Sequence, residues 1–244
     1  SHTLGLFSVF NPVAINHSTI YKSGIPARYG NKLSSVVDIR MKEGNLHNWK
    51  INTGLSTIAT DFMIDGPIVK EKTGLMIALR RSHIDPFVKH FSKKNKLENF
   101  NEGSGNHYFY DVNLKMNHII DTKNRIYATY FQSGDRLYNN TNSFGTTLDD
   151  IYFDEITSYD LNWGNQMAAV RWNHIYGDQV FSNTILHNSR FKYGSNSVSN
   201  FYEEDLNSGE VLFDFLANLF STTISDYGID QNIDIYLDDG DKIK

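Results

Sequence analysis

Three features of the sequence predict an all-β chain: consecutive antiparallel hairpins forming part of a barrel wall. Aromatics make up 14% of the 244 residues, with 14 Tyr and 16 Phe, a share that favours sheet over helix. Apolar and polar residues alternate with a period of two over segments far longer than an ordinary strand of about 5–6 residues. The connectors come in two kinds that take turns, compact hairpin signals and long polar stretches.

Composition narrows the function classes. A formal charge of −5 and no basic stripe argue against a nucleic-acid binder, which needs a cationic footprint. Without cysteine there is no disulfide scaffold, thiolate metal site or cysteine nucleophile. No run of about 18 apolar residues is present, so no transmembrane helix is expected, but barrels cross membranes on short alternating strands. The opening "SHTLGLFSVFNPVAIN" lacks the parts of a secretory signal, and a chain cut from a longer one is expected.

Taken in order, the first element is "YKSGIPARYGNKLSSVVDIRMKEG", residues 21–44. Residues 19–22 read as a short strand, Gly24 supplies a positive φ at a turn, and Pro26 fixes the chain just after it. Gly30 permits a second close approach. Leu33, Val37, Ile39 and Met41 then alternate with Ser34, Asp38, Arg40 and Lys42, one packed face against one wet face, until Gly44 ends the strand.

From about Leu46 the hairpins begin. Compact turns are expected at "GPIVKEKTG" between Met63 and Leu79, "DTKN" between Met116 and Tyr130, "GDQ" between Trp172 and Phe181, and "DDGD" near the end. Long polar connectors are expected at residues 86–105, 138–159 and roughly 194–212. Within "HYFYDVNLKMNH", Tyr108, Tyr110, Val112, Leu114 and Met116 share one face, and Phe109, Asp111, Asn113, Lys115 and Asn117 the other. In "GIDQNIDIYLD", Ile229, Ile233, Ile235 and Leu237 oppose Asp230, Asn232, Asp234 and Tyr236. Tyr110, Val112, Leu114 and Met116 are expected to face outward to lipid, and Asp111, Asn113 and Lys115 inward.

Four strand pairs and the start of a ninth strand at residues 242–244 are thus predicted. An open sheet of that kind leaves unpaired N–H and C=O groups at its edges, which hydrocarbon penalises by several kcal/mol each. A larger closed barrel is the expected whole.

Residues 21–44 resemble the last part of the plug domain of TonB-dependent outer-membrane receptors. There a strand, a Gly-Pro-type turn, a Tyr-Gly pair and a Val/Ile-Asp/Asn-Ile strand ending in Lys-x-Gly lead into the barrel. The matching positions are Tyr21, Gly24, Pro26, Tyr29, Gly30, Val37, Asp38, Ile39, Lys42 and Gly44, with Arg28 inside the motif; Ile25 splits the usual Gly-Pro. "DGPIV" resembles the turn closing the first barrel hairpin. "ALRRSHID" resembles the Arg-Arg-Ser-Tyr strand after it, with His83 in place of the aromatic.

The resemblance is to the branch that often carries a carboxypeptidase-regulatory-like N-terminal domain. It implies the end of a small α+β plug over residues 1–45 and the first eight or nine strands of a barrel of about 22 over residues 46–244. It further implies import of a scarce solute (an iron chelate, glycan or peptide) across the bacterial outer membrane. The implied partners are outer-membrane lipid, a TonB-type energy-transducing complex reached through a missing N-terminal part, and a surface lipoprotein. Gly24, Pro26, Arg28, Tyr29, Gly30, Asp38 and Gly44 would be the plug signature, structural or gating in role.

Other constellations point to little chemistry. His83 and His90 fit neither helical nor strand ligand spacing, and Asp149, Asp150, Asp154, Glu155 and Asp160 lack the spacing of a calcium loop, so no metal is expected. Arg80 and Arg81 lie on opposite faces of one strand, and one of them is expected to meet a plug carboxylate. No catalytic motif and no cofactor site is found, and the reading is not an enzyme. Two alternatives stay open: a receptor-like barrel that scaffolds an envelope complex, and a soluble β-sandwich binding module.

Overall fold

A computed structural model describes residues 2, 8, 10–26, 29, 35–83, 85, 101–237, 242 and 243. A 3-10 turn, Pro12–Ala14, leads into a two-stranded antiparallel sheet of β1 (Ile15–Tyr21) and β2 (Val36–Met41). The other nine strands make one antiparallel sheet: β3 (Lys50–Leu55), β4 (Ala59–Val69), β5 (Thr73–Ser82), β6 (Asn101–Ile119), β7 (Asn124–Thr146), β8 (Ile151–Ile175), β9 (Val180–Asp205), β10 (Val211–Tyr236) and β11 (Lys242–Ile243). Their spatial order is their chain order, each strand beside its sequence neighbours. Among the described residues the sheet does not close: β3 pairs only with β4, and β10 meets β11 only through Ile235 and Tyr236.

The strand count and the hairpin order match the sequence expectation. The lengths expected for two of the three long connectors do not. Residues 138–159 and 194–212 were expected as long loops, yet β7 runs to Thr146, β8 starts at Ile151, β9 runs to Asp205 and β10 starts at Val211. The turns between them shrink to residues 147–150 and 206–210. The polar segments satisfy their backbone groups by pairing across the ladder, Asn139 with Tyr159 and Val198 with Ala217 among them. Of the expected long connector 86–105, residues 101–105 already belong to β6, and 86–100 lie outside the described residues, as does "DDGD" at 238–241.

The compact turns fall close to their predicted places. The turn after Met63 occupies only residues 70–72, and Pro67 stays within β4 beside a bulge, where a missing N–H is tolerated. At residues 120–123, Asp121 Oδ1 accepts from the backbone of Lys123 and Asn124 at 2.8 Å each, and this holds its carboxyl below the usual carboxylate range, the bond from the Asn124 side chain contributing most. The third turn is residues 176–179.

Register places side chains on two faces. Tyr110 pairs with Arg81 and Gly134, and Leu114 with Ile77 and Tyr130. Carried across the sheet, one face therefore holds Ile51 and Leu55, Phe62, Leu75, Ile77, Leu79, Val112, Leu114, Met116, Ile126, Ala128, Val170, Trp172, Leu186, Ile229 and Ile233. This is a band of apolar side chains across β3 to β10, at the end nearer the short turns 70–72, 120–123 and 176–179. Many are bare: Ile51 is 63% exposed, Leu186 51% and Ile229 74%. Tyr110 and Tyr130 edge the band on one side, and Trp172, His174 and Tyr176 on the other, their rings 5.3 and 4.3 Å apart in sequence.

The opposite face carries the polar partners, and over β4 to β7 it is covered by the N-terminal segment. Ala14, Met63, Met76 and Ala78 form a small buried core there, with Val13 and Met41 packed against it. In β2, Ile39 and Met41 are partly buried as expected, whereas Val37 is 55% exposed and does not pack. The alternation of β10 holds for residues 228–237 only. Farther up, Leu212, Leu216, Phe220 and Phe213, Phe215 and Leu219 leave both faces apolar.

Candidate functional site

The covered face is where charged groups are taken out of water, and its chemistry centres on Arg80 and Asp111. They are direct cross-strand partners on β5 and β6, and Arg80 Nε donates to Asp111 Oδ2 at 2.6 Å. Arg80 Nη2 donates to the Ser8 carbonyl at 2.6 Å, and Asn113 Nδ2 donates to Asp111 Oδ1 at 3.2 Å. Asp111 is fully buried. A buried carboxylate is tolerated only when paired and hydrogen-bonded, and both conditions are met.

His2 joins this cluster from the far end of the segment. Its Nδ1 stands 2.6 Å from Asp135 Oδ2, its Nε2 lies 3.5 Å from Asp111 Oδ2 without hydrogen-bond geometry, and its ring stacks on Phe109 at 4.4 Å. Burial alone pushes the imidazole pKa down. The pull of the nearby Asp111 carboxylate and the bond and charge of Asp135 outweigh that and the opposing charge of Arg80, so His2 is held above its ordinary value.

A second set of contacts fastens the rest of the segment. Asn11 accepts from the backbone of Val13 at 3.1 Å, capping the 3-10 turn, and donates to the Leu79 carbonyl at 3.3 Å. Lys115 Nζ reaches the Met41 carbonyl at 3.3 Å and Glu43 at 3.6 Å; Arg171 reaches Glu43 at 3.4 Å and stacks over Tyr127 at 4.0 Å. Two strands of the sheet, β6 and β8, thereby converge on one carboxylate of the segment. Phe10 stacks with Phe131 at 6.1 Å.

Of the described residues that carry the resemblance, Gly44 meets the large sheet, and Pro26, Tyr29 and Asp38 bond locally. Gly24 has φ +63°, the positive φ predicted for the turn. Tyr29 donates its backbone N–H to Pro26 at 2.9 Å and its hydroxyl to Asp38 Oδ2 at 2.7 Å, so Pro26, Tyr29 and Asp38 form one local knot between β1 and β2. Gly44 is buried against Gly74. Arg28 and Gly30 lie outside the described residues.

Arg80 and Arg81 part as expected, but the carboxylate met by Arg80 comes from the sheet, and the segment offers a carbonyl instead. Arg81 lies over the Tyr108 ring at 4.9 Å and 3.4 Å from Asp85. His90 lies outside the described residues. Asp149 and Asp150 sit in a turn, whereas Asp154, Glu155 and Asp160 lie along β8; among the described residues no group of three or more His, Asp or Glu is gathered for a metal.

Sequence reasoning placed Asp111, Asn113 and Lys115 on this face but missed His2, Ser8, Glu43 and Asp135 as partners. A period of two assigns a face and never a partner, and His2 and Asp135 are separated by 133 positions. No known family model, no curated protein and no solved structure matches the chain.

Proposed function

We propose that this chain is the wall and plug end of a TonB-dependent importer of the bacterial outer membrane. One observation carries the reading. A single face presents an exposed apolar band across β3 to β10, while the opposite face buries charged residues beneath the N-terminal segment. About ten residues at roughly 3.3 Å each, tilted near 40°, cover an apolar height of about 25 Å. Residues 110–119 of β6 and 166–175 of β8 are of that length. The band would meet acyl chains, and the covered face would line an aqueous bore closed by residues 1–45.

The open edges of β3 and β10 fit the same reading, because further strands would close the wall and satisfy them. In the mechanism that the resemblance implies, solute binds at the outer face and an inner-membrane complex supplies the work that shifts the plug. The interface at Arg80, Asp111 and Glu43 is what such work must loosen. The wall itself performs no catalytic step. A soluble sandwich would bury Ile51, Leu186 and Ile229 against a second sheet, and among the described residues none covers them.

The test is extraction of the full-length protein from cells. Retention in the membrane pellet through carbonate washing, with release only by detergent, is expected. Release by carbonate alone would sink the membrane reading. Planar-bilayer recordings then address the plug: deletion of residues 1–45 should convert a silent protein into a conducting one.

A further inference from the structure

Where the apolar band stops, on the side of the turns at 147–150 and 206–210, the bare face dips into a cup. Gly134 and Gly164 stand directly opposite each other on β7 and β8 and add no side chain of their own to its floor. The Tyr110 ring closes one side, occupying the place where a side chain on Gly134 would go. The cup encloses about 320 Å³.

Its walls bear cations and amides; Asp135 also lines it, with its carboxylate engaged by His2. Lys192 pairs across the ladder with Gly164, and Arg190 with Gln166. Arg136 stands on the β7 side, held by Asp160 at 3.1 and 2.8 Å. On this face the cross-strand neighbours of Arg190 and Lys192 are Gln166 and Gly164 on one side and Ser225 and Thr223 on the other, so no carboxylate stands directly beside either cation. Gln132 and Gln166 mark the lower lip, fixed through the Tyr130 hydroxyl at 2.7 and 3.1 Å.

Below that lip the surface turns apolar on β7 and β8, with Ala128, Ala168 and Val170, and on β9 from Leu186, past Asn188. A cationic cup with an apolar apron matches a molecule that is anionic at one end and hydrocarbon at the other. A free anion would use only half of it. We propose that the cup binds the anionic, phosphate-bearing headgroup of a lipid, whose acyl chains lie along the band. This rests on the reading that the band faces hydrocarbon.

The experiment uses full-length protein in a neutral detergent, with bound lipid counted by native mass spectrometry. The probes are dioleoyl phosphatidic acid, dioleoyl phosphatidylcholine and inorganic phosphate. Phosphatidic acid should be retained about tenfold more tightly than phosphatidylcholine, and the Arg190→Gln/Lys192→Gln double variant should lose that preference. Both proteins should insert equally into phosphatidylcholine vesicles. If both insert and the preference is missing or survives in the variant, the cup proposal falls and the membrane reading stands. Millimolar inorganic phosphate displacing the lipid completely would likewise overturn it, as a simple anion site. Failure of both proteins to enter vesicles would remove the membrane reading and the cup together.

Discussion

Gly44 lies flat against Gly74: a side chain begun on Gly44 would come within 2.3 Å of the Gly74 carbonyl carbon and the Leu75 nitrogen. The reverse contact, from Gly74 to the Gly44 carbonyl oxygen, is also 2.3 Å. Backbone cannot swing aside as a side chain can. Gly44→Ala and Gly74→Ala should each cost about 1–3 kcal/mol, as overpacking does, and should lift the segment end from the sheet. Hydrogen exchange at Val13, Ala14 and Met41 is the readout; unchanged protection in both variants would contradict the contact.

Arg80→Ala leaves Asp111 buried with its principal cation gone. Breaking a buried pair from one side costs about 3–5 kcal/mol, and a loss of that order is expected in denaturant unfolding. Arg80→Ala combined with Asp111→Leu should recover most of it, since the penalty belongs to the stranded charge. A double variant as unstable as the single one would show that the pair matters through Ser8 instead.

Docking of the segment should depend on pH through His2. Its pKa is raised above about 6.5 when folded, so its contribution is full below about pH 6.5 and disappears as pH rises through the folded value. Proteolysis within residues 1–45 should therefore speed up between mildly acidic and alkaline buffer. His2→Gln should flatten that dependence; a variant that keeps the same slope would assign it to another group.

The two faces of β6 can be told apart with one fluorophore. Tryptophan introduced at Leu114 in the full-length protein should be quenched by brominated lipid, and tryptophan at Asn113 should not. Leu114→Arg should destabilise the membrane-inserted protein by about 2–4 kcal/mol near the bilayer centre. Equal quenching at both positions would remove the assignment of faces.

The sheet was legible because its signals are local. A period of two at Tyr110, Val112, Leu114 and Met116 marks a face, and Asp121 or Gly24 marks a turn by its own conformational chemistry. Loop length was misjudged where polarity was taken for irregularity: "LYNNTNSFGT" is polar on both sides yet pairs residue for residue with β8, because ladder hydrogen bonds need no apolar side chain. The interface was half legible. Adjacent Arg80 and Arg81 declared that one of the two would turn to the segment, whereas the hold of Arg80 on Ser8 depends on where the segment folds back, which only the assembled sheet decides.

Arg80 grips Ser8, and Lys115 grips Met41, by the carbonyl, while Asn11 returns the same courtesy to Leu79. Three clasps across the junction thus read main chain, a feature every residue type possesses. Side-chain identity at positions 8 and 41 is free to drift as far as these bonds are concerned. On the reading that residues 1–45 are a movable plug, a strand drawn along its own axis would offer each cation a fresh oxygen at every second residue, and the seat would act as a handrail released one grip at a time.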